Sequence, residues 1–169
     1  MITGINLKEL IEQYDIVPVS CFDRFSVTLH LSRTIRKYIF PYGYVVTYGE
    51  SVKESFVIND SIDNEYILKP GQSILACSDE NVKMPKGYIG MIQTKGSLAR
   101  LFITVHCCDS QVESGFTGHV TFEICNMGTL NVRLLPNSPV AQMFVFKTSS
   151  DSDEYNGKYN NSELPTFSK

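Results

Sequence analysis

The chain is expected to fold as an all-β sandwich or barrel with one short N-terminal helix, and three observations point there. Short β-branched or aromatic segments follow one another closely, Gly, Pro, Asn and Asp punctuate them, and helical periodicity is confined to one stretch near the start. That stretch, Leu7 to Tyr14, sets Leu7, Leu10 and Ile11 on one short apolar stripe. The strand candidates follow in order: "SVTLHL", "GYVVTYG", "SFVIN", "EYILKPG", "QSILACS", "KGYIGMIQT", "RLFITVHC", "GHVTFEIC", "LNVRLL" and "VAQMFVFK". Many short strands broken by turn residues are the rhythm of a sandwich or barrel. From Ser149 the composition turns polar and rich in Gly, Asn and Ser, with too little apolar surface to fold alone. Residues 1–148 are therefore read as a single domain and 149–169 as a flexible C-terminal arm, mobile unless something docks it.

At 169 residues and 43% apolar content, one domain can bury a real core, since a chain near this size hides roughly 70% of its unfolded surface. The net charge of -3 is spread out, with no basic stripe. Nothing suggests a nucleic-acid polymer as the main partner, while a phosphorylated small molecule stays open. Five cysteines, an odd number, lie mostly in apolar runs without CxxC spacing. They read as reduced, buried thiols, which points to a cytoplasmic compartment. The start, "MITGINLKELIEQYDI", is too charged for a signal sequence. No apolar run approaches the ~20 residues a membrane span needs.

The polar residues concentrate between Thr94 and Asn126. "KGSLAR" follows a strand and supplies a glycine, a hydroxyl, backbone amides and two cations, a set that suits a polyanion such as a triphosphate or simply a turn ending in a surface Arg. "VESGFTGHV" has two glycines flanking a Phe, as expected of a hairpin or of backbone that something must approach closely. In "VTFEIC", strict alternation turns Val120, Phe122 and Ile124 one way and Thr121, Glu123 and Cys125 the other. Glu123 then faces either solvent or a pocket.

Taken together, from "YILKPGQSILACSDENVKMPKGYIG" through "KGSLARLFITVH", "VESGFTGHVTFEICNMG" and "LLPNSPVAQMFVF" to "YNGKYNNSELPTFSK", the chain resembles the dCTP deaminase family of the dUTPase-like superfamily. The likeness runs from about Tyr66 to the C-terminus. Before that, "FSVTLHL" is similar to an early family strand but carries Thr28 and His30 where Asp and Arg are usual. The resemblance implies a dUTPase-like distorted jelly-roll or β-barrel. It further implies zinc-independent hydrolytic deamination of dCTP to dUTP and ammonia, with Glu123 shuttling protons between water, N3 and the leaving amine. Arg100 would neutralise and orient Glu123 or hold the phosphate side. Lys95, Ser97 and, from the arm, Lys158 would contact phosphate oxygens, and Gln142 and Tyr155 would complete the nucleotide pocket. Glu113 stands near the deoxyribose where Asp is usual, and Phe116 would pack on the sugar. Mg²⁺ would be bound through the nucleotide phosphates. The family's homotrimers, with sites between subunits, imply a trimer here, the arm closing over bound dCTP or dUTP.

Zinc-dependent base deaminases need H-x-E and P-C-x-x-C motifs, and the chain has neither. On a strand, the adjacent residues His106, Cys107 and Cys108 would turn neighbouring side chains to opposite faces and could not converge on one ion; His106 is read as part of the core or of a subunit contact. Three positions depart from the family pattern: Gly96 replaces a Ser expected to help hold the attacking water, Glu113 replaces Asp, and Ser162 replaces an arm Gln. Two further readings accompany these departures. One is a dUTP diphosphatase or bifunctional dCTP deaminase/dUTP diphosphatase with Glu113 activating water at the α-phosphate; the other is a non-catalytic dNTP-binding relative.

Overall fold

A computed structural model of the chain describes residues 1–150 and 154–168. Its strands are β1 (Phe22–Asp23), β2 (Ser26–Tyr38), β3 (Val57–Ser61), β4 (Tyr66–Leu68), β5 (Ser73–Lys83), β6 (Tyr88–Thr94), β7 (Ile103–Thr104), β8 (Gln111–Val112), β9 (Thr117–Asn126), β10 (Val132–Leu134) and β11 (Pro139–Lys147). Helix α1 (Gly4–Tyr14) precedes them, and a single turn of helix, α2 (Gly96–Ala99), sits between β6 and β7. The main sheet runs β7-β9-β5-β2-β11-β6-β8, with β1 and β3 also paired to β2, and β10 and β4 form a separate ribbon. The expected all-β jelly-roll-like fold is what forms.

Long β2 organises the sheet because its alternation is strong: Val27, Leu29, Leu31 and Ile35 are fully buried, with polar residues between them. It pairs with β11 on one edge and with β5 on the other, each time across a register irregularity that bends the sheet. Phe122 and Ile124 from β9, and Met143 and Val145 from β11, fill the core beside them. Helix α1 lays its stripe of Leu7, Leu10 and Ile11 on that core and stops at Asp15. Asp15 takes the left-handed conformation at φ 51 and returns its N–H to the Ile11 carbonyl.

The chain departs from expectation in four places. "GYVVTYG" is no strand: Gly43 and Gly49 take φ of 75 and 92, which breaks the extended run, and Tyr42, Val45 and Tyr48 stand exposed. "RLFITVHC" shortens to Ile103 and Thr104, because α2 occupies the preceding residues and Phe102 turns the chain at φ 59. Cys107 and Cys108 consequently lie in a loop and are exposed, correcting the expectation of buried thiols and of strand neighbours on opposite faces; Cys21 and Cys77 are buried as expected and Cys125 is half-buried. The expected arm, 149–169, includes residues 151–153 and 169, which lie outside the described residues. From Glu154 to Ser168 it is laid along its own chain: Asn161 N–H donates to the Thr117 carbonyl at 2.6 Å, His119 N–H to the Ser162 carbonyl at 2.9 Å, and Thr166 N–H to Thr121 Oγ1 at 2.9 Å.

One buried polar cluster was not foreseen. His30 Nδ1 lies 2.5 Å from Glu80 Oε1, His30 N–H donates to Oε2 at 2.9 Å, and the Cys21 thiol donates to Oε1 at 3.6 Å. Burial and the adjacent Glu80 push the Cys21 thiol up to about 11, so it stays a donor. The cluster ties β2 and β5 to the turn after α1.

Candidate active site

The side chains of β9 alternate along the whole strand. Gly118, Val120, Phe122, Ile124 and Asn126 are buried, while Thr117, His119, Thr121, Glu123 and Cys125 are half-buried on the opposite face. His119, Thr121 and Glu123 thus stand in a polar row. The docked arm roofs this row and leaves a cavity of about 270 Å³, whose walls also include Glu113, Phe116 and Tyr155.

Two glycines let the arm come this near. At Gly115, φ 83, a Cβ would lie 2.7 Å from Glu154 Cβ; at Gly118, φ 141, it would lie 2.8 Å from the Ser162 amide nitrogen. The close approach expected of "SGFTGH" is therefore made by the arm. Tyr155 N–H donates to the Ser114 carbonyl at 2.7 Å, and the ring of Tyr155 lies 6.4 Å from that of Phe116, tilted by 43°. The two rings form the aromatic part of the cavity wall.

Glu123 is held by backbone. Its Oε2 accepts the N–H of Cys108 at 2.8 Å and that of Asp109 at 3.3 Å, while its own N–H donates to the Val105 carbonyl at 3.0 Å. Among the described residues no protein donor reaches Oε1. One oxygen is anchored and the other is available to water or a ligand, which is the arrangement a proton carrier needs. Glu123 also borders a second cavity of about 290 Å³, shared with Arg36, Lys37, Cys107 and Cys125.

The remaining sequence-predicted residues stand elsewhere in the single chain. Lys95 caps α2 and its ammonium pairs with Asp23 at 3.0 Å. Gly96, Ser97 and Arg100 are exposed, and Arg100 Nη1 fills the space beside Gly96, 3.2 Å from where a Cβ would be. Gln142 is half-buried in mid-sheet, between Gln93 of β6 and Thr28 of β2. Lys158 is exposed with its ammonium 5.0 Å from the Tyr159 ring centre. None of these six borders either cavity.

The family model described as dCTP deaminase-like matches residues 2–148. The chain belongs to the dCTP deaminase-like family. It is 34% identical over 113 residues to the "dCTP deaminase, dUMP-forming" of Acidothermus cellulolyticus, covering 63% of this chain and 59% of that protein. With the protein of the same description from Kocuria rhizophila it shares 30% over 151 residues, 85% of this chain and 79% of the relative. Among solved structures, the 2′-deoxycytidine 5′-triphosphate deaminase of Agrobacterium tumefaciens superposes with a TM-score of 0.64 at 16% identity, over 85% of this chain and 47% of that one. That likeness shows the shared fold.

Within this dCTP deaminase-like fold, sequence reasoning missed His119 and the loop of Cys108 and Asp109. His119 was legible, since it shares the parity of Thr121 and Glu123. Its ring Nδ1 lies 2.8 Å from the Ser78 carbonyl, so that nitrogen must carry a proton. The loop left no signal, because it contributes amides that every residue has. No described helix is long and apolar enough to cross a membrane.

Proposed function

We propose that the protein hydrolytically deaminates dCTP, with Glu123 as the proton carrier. The observation that carries this reading is the carboxylate anchored on one oxygen by the Cys108 and Asp109 amides and set in the wall of a cavity with aromatic sides. Glu123 takes a proton from water as the oxygen adds to C4 and passes it to N3; it then takes the proton of the new C4 hydroxyl and delivers it to the amine, the C4–N bond breaks as the C4 carbonyl forms, and dCTP and water become dUTP and ammonia. The amide anchors keep the carboxylate in one orientation through both transfers. Phe116 and Tyr155 flank the sugar and exclude water from that side.

The phosphates need cations, and this chain offers them from α2 and the arm. In the proposed homotrimer the Lys95, Gly96, Ser97 and Arg100 segment of one copy faces the cavity of another; the support is that these residues are exposed and lie off the cavity in the single chain. Gln142 and Lys158 would close the same nucleotide pocket. Magnesium would arrive on the triphosphate. The oxygen donors at the cavity, Asp109, Ser110 and Glu113, suit a hard cation that keeps its own waters and neutralises phosphate charge. The reaction as written uses no zinc and belongs with the deoxynucleotide pool of the cytoplasm, with no nucleic-acid polymer or membrane as partner.

A second reading, deamination followed by diphosphate release to give dUMP, is favoured by Glu113 in the cavity wall and by relatives described as dUMP-forming. Purified protein with Mg²⁺ is incubated with dCTP and, separately, dUTP, and ammonia, dUTP, dUMP and diphosphate are followed. Ammonia from dCTP is expected; dUMP with diphosphate adds the second step. Nucleotide binding without ammonia release would replace both readings by a non-catalytic one.

A further inference from the structure

Three thiols surround the anchored carboxylate. Cys107 and Cys108 are exposed on the loop whose amides hold Glu123, and Cys125 lies two residues beyond Glu123 on the same face of β9. Cys125 is registered opposite Thr104 of β7, only three residues before Cys107, and all three cysteines line the second cavity together with Glu123. The Cys107 thiol interacts with both Cys108 and Cys125. The buried cysteines of the molecule, Cys21 and Cys77, take no part in this cluster.

We propose that Cys107 and Cys125 are an oxidation site: they close an intramolecular disulfide that draws the 107–109 loop off Glu123. With hydrogen peroxide as oxidant, the Cys107 sulfur attacks an oxygen, breaking the O–O bond and giving a sulfenic acid and one water. The Cys125 sulfur then attacks the Cys107 sulfur, the S–S bond forms, and the hydroxyl leaves as a second water. Two thiols are oxidised and the peroxide is reduced. A covalent link from Cys107 to β9 moves the adjacent Cys108 and Asp109 amides, and Glu123 loses both donors to Oε2. Hydrogen bonding to Cys125 and then burial hold the Cys107 thiol above its ordinary value. Only the thiolate attacks, so the bond forms faster as pH rises through the alkaline range.

The bond itself is independent of the proposed activity, and the loss of turnover rests on that reading. Reduced full-length protein is treated with hydrogen peroxide and cut with a glutamate-specific protease. No Lys or Arg lies between Leu101 and Val132, but Glu113 and Glu123 separate the cysteines. A peptide pair joined through Cys107 and Cys125 is expected in the wild type and in Cys108→Ser, and is absent in Cys125→Ser. Ammonia release from dCTP should fall at least about tenfold on oxidation, as expected for losing preorganised donors, return with dithiothreitol, and survive oxidation in Cys125→Ser. A link between Cys107 and Cys108 alone, sulfinic acids without a link, or full turnover with the link formed would each overturn the proposal. If the reduced protein releases no ammonia while the joined peptides appear, the functional reading fails and the oxidation site stands.

Discussion

The two halves of the sequence-predicted site behave differently. Around β9, Glu113, Phe116, Glu123 and Tyr155 converge on one cavity, each placed by strand alternation, a glycine turn or the docked arm. Around α2, Lys95, Gly96, Ser97 and Arg100 form an exposed turn away from it, with Lys95 engaged by Asp23. A chemical group built into one chain needs only local register, whereas a group for a polyanion can be supplied by a second copy, as a symmetric assembly brings the same segment to every site. On this reading the single chain holds the base-directed half of the site and presents the phosphate-directed half to a neighbour.

Removing the acid should produce the largest effect. Glu123→Gln keeps the shape and the amide contacts but cannot carry a proton, and deamination should fall about 10³-fold or more, measured as ammonia release; full activity would remove Glu123 from the chemistry. Arg100→Ala should cost about 10²-fold. Co-assembling it with Glu123→Gln should restore activity above either parent, since mixed trimers contain sites with both native groups. No gain on mixing would place the whole site in one chain.

Gly118→Ala addresses the roof of the cavity. The added methyl meets the Ser162 backbone at a positive φ, and should destabilise the docked arm by about 1–3 kcal/mol. Faster proteolysis near Tyr155 with an unchanged far-UV spectrum would show it. The last expected effect is confined to alkaline pH. Burial pushes the Cys77 thiol up to about 11 from 9.0, and Cys77 is registered opposite Thr121 of β9. Its stabilising effect is complete below the unfolded value and is lost as pH rises through the folded one. A decline of about 3 kcal/mol by the end of that window, blunted in Cys77→Ala, should appear in thermal melts.

Much of this was legible from local pattern. The parity of Val120, Phe122 and Ile124 predicted that Glu123 would share a face with Thr121, and the burial of β9 follows it residue by residue. Helix α1 lies where Leu7, Leu10 and Ile11 placed it. "GYVVTYG" misled because a β-branched and aromatic run looks the same with or without a partner strand. The His30, Glu80 and Cys21 cluster was invisible because its members are 50 and 59 residues apart.

The order of hydrophobic and turn residues was enough to determine an all-β chain with one short helix and a strand whose acid lies on the face opposite its apolar row, because side-chain parity is a property of the backbone itself. Only the tertiary structure decided which oxygen of that acid is anchored, that the arm rests on Gly115 and Gly118, and that three cysteines meet beside the carboxylate. Those outcomes depend on backbone amides and on loops brought together from distant positions, and no local stretch of side chains encodes where such groups will meet.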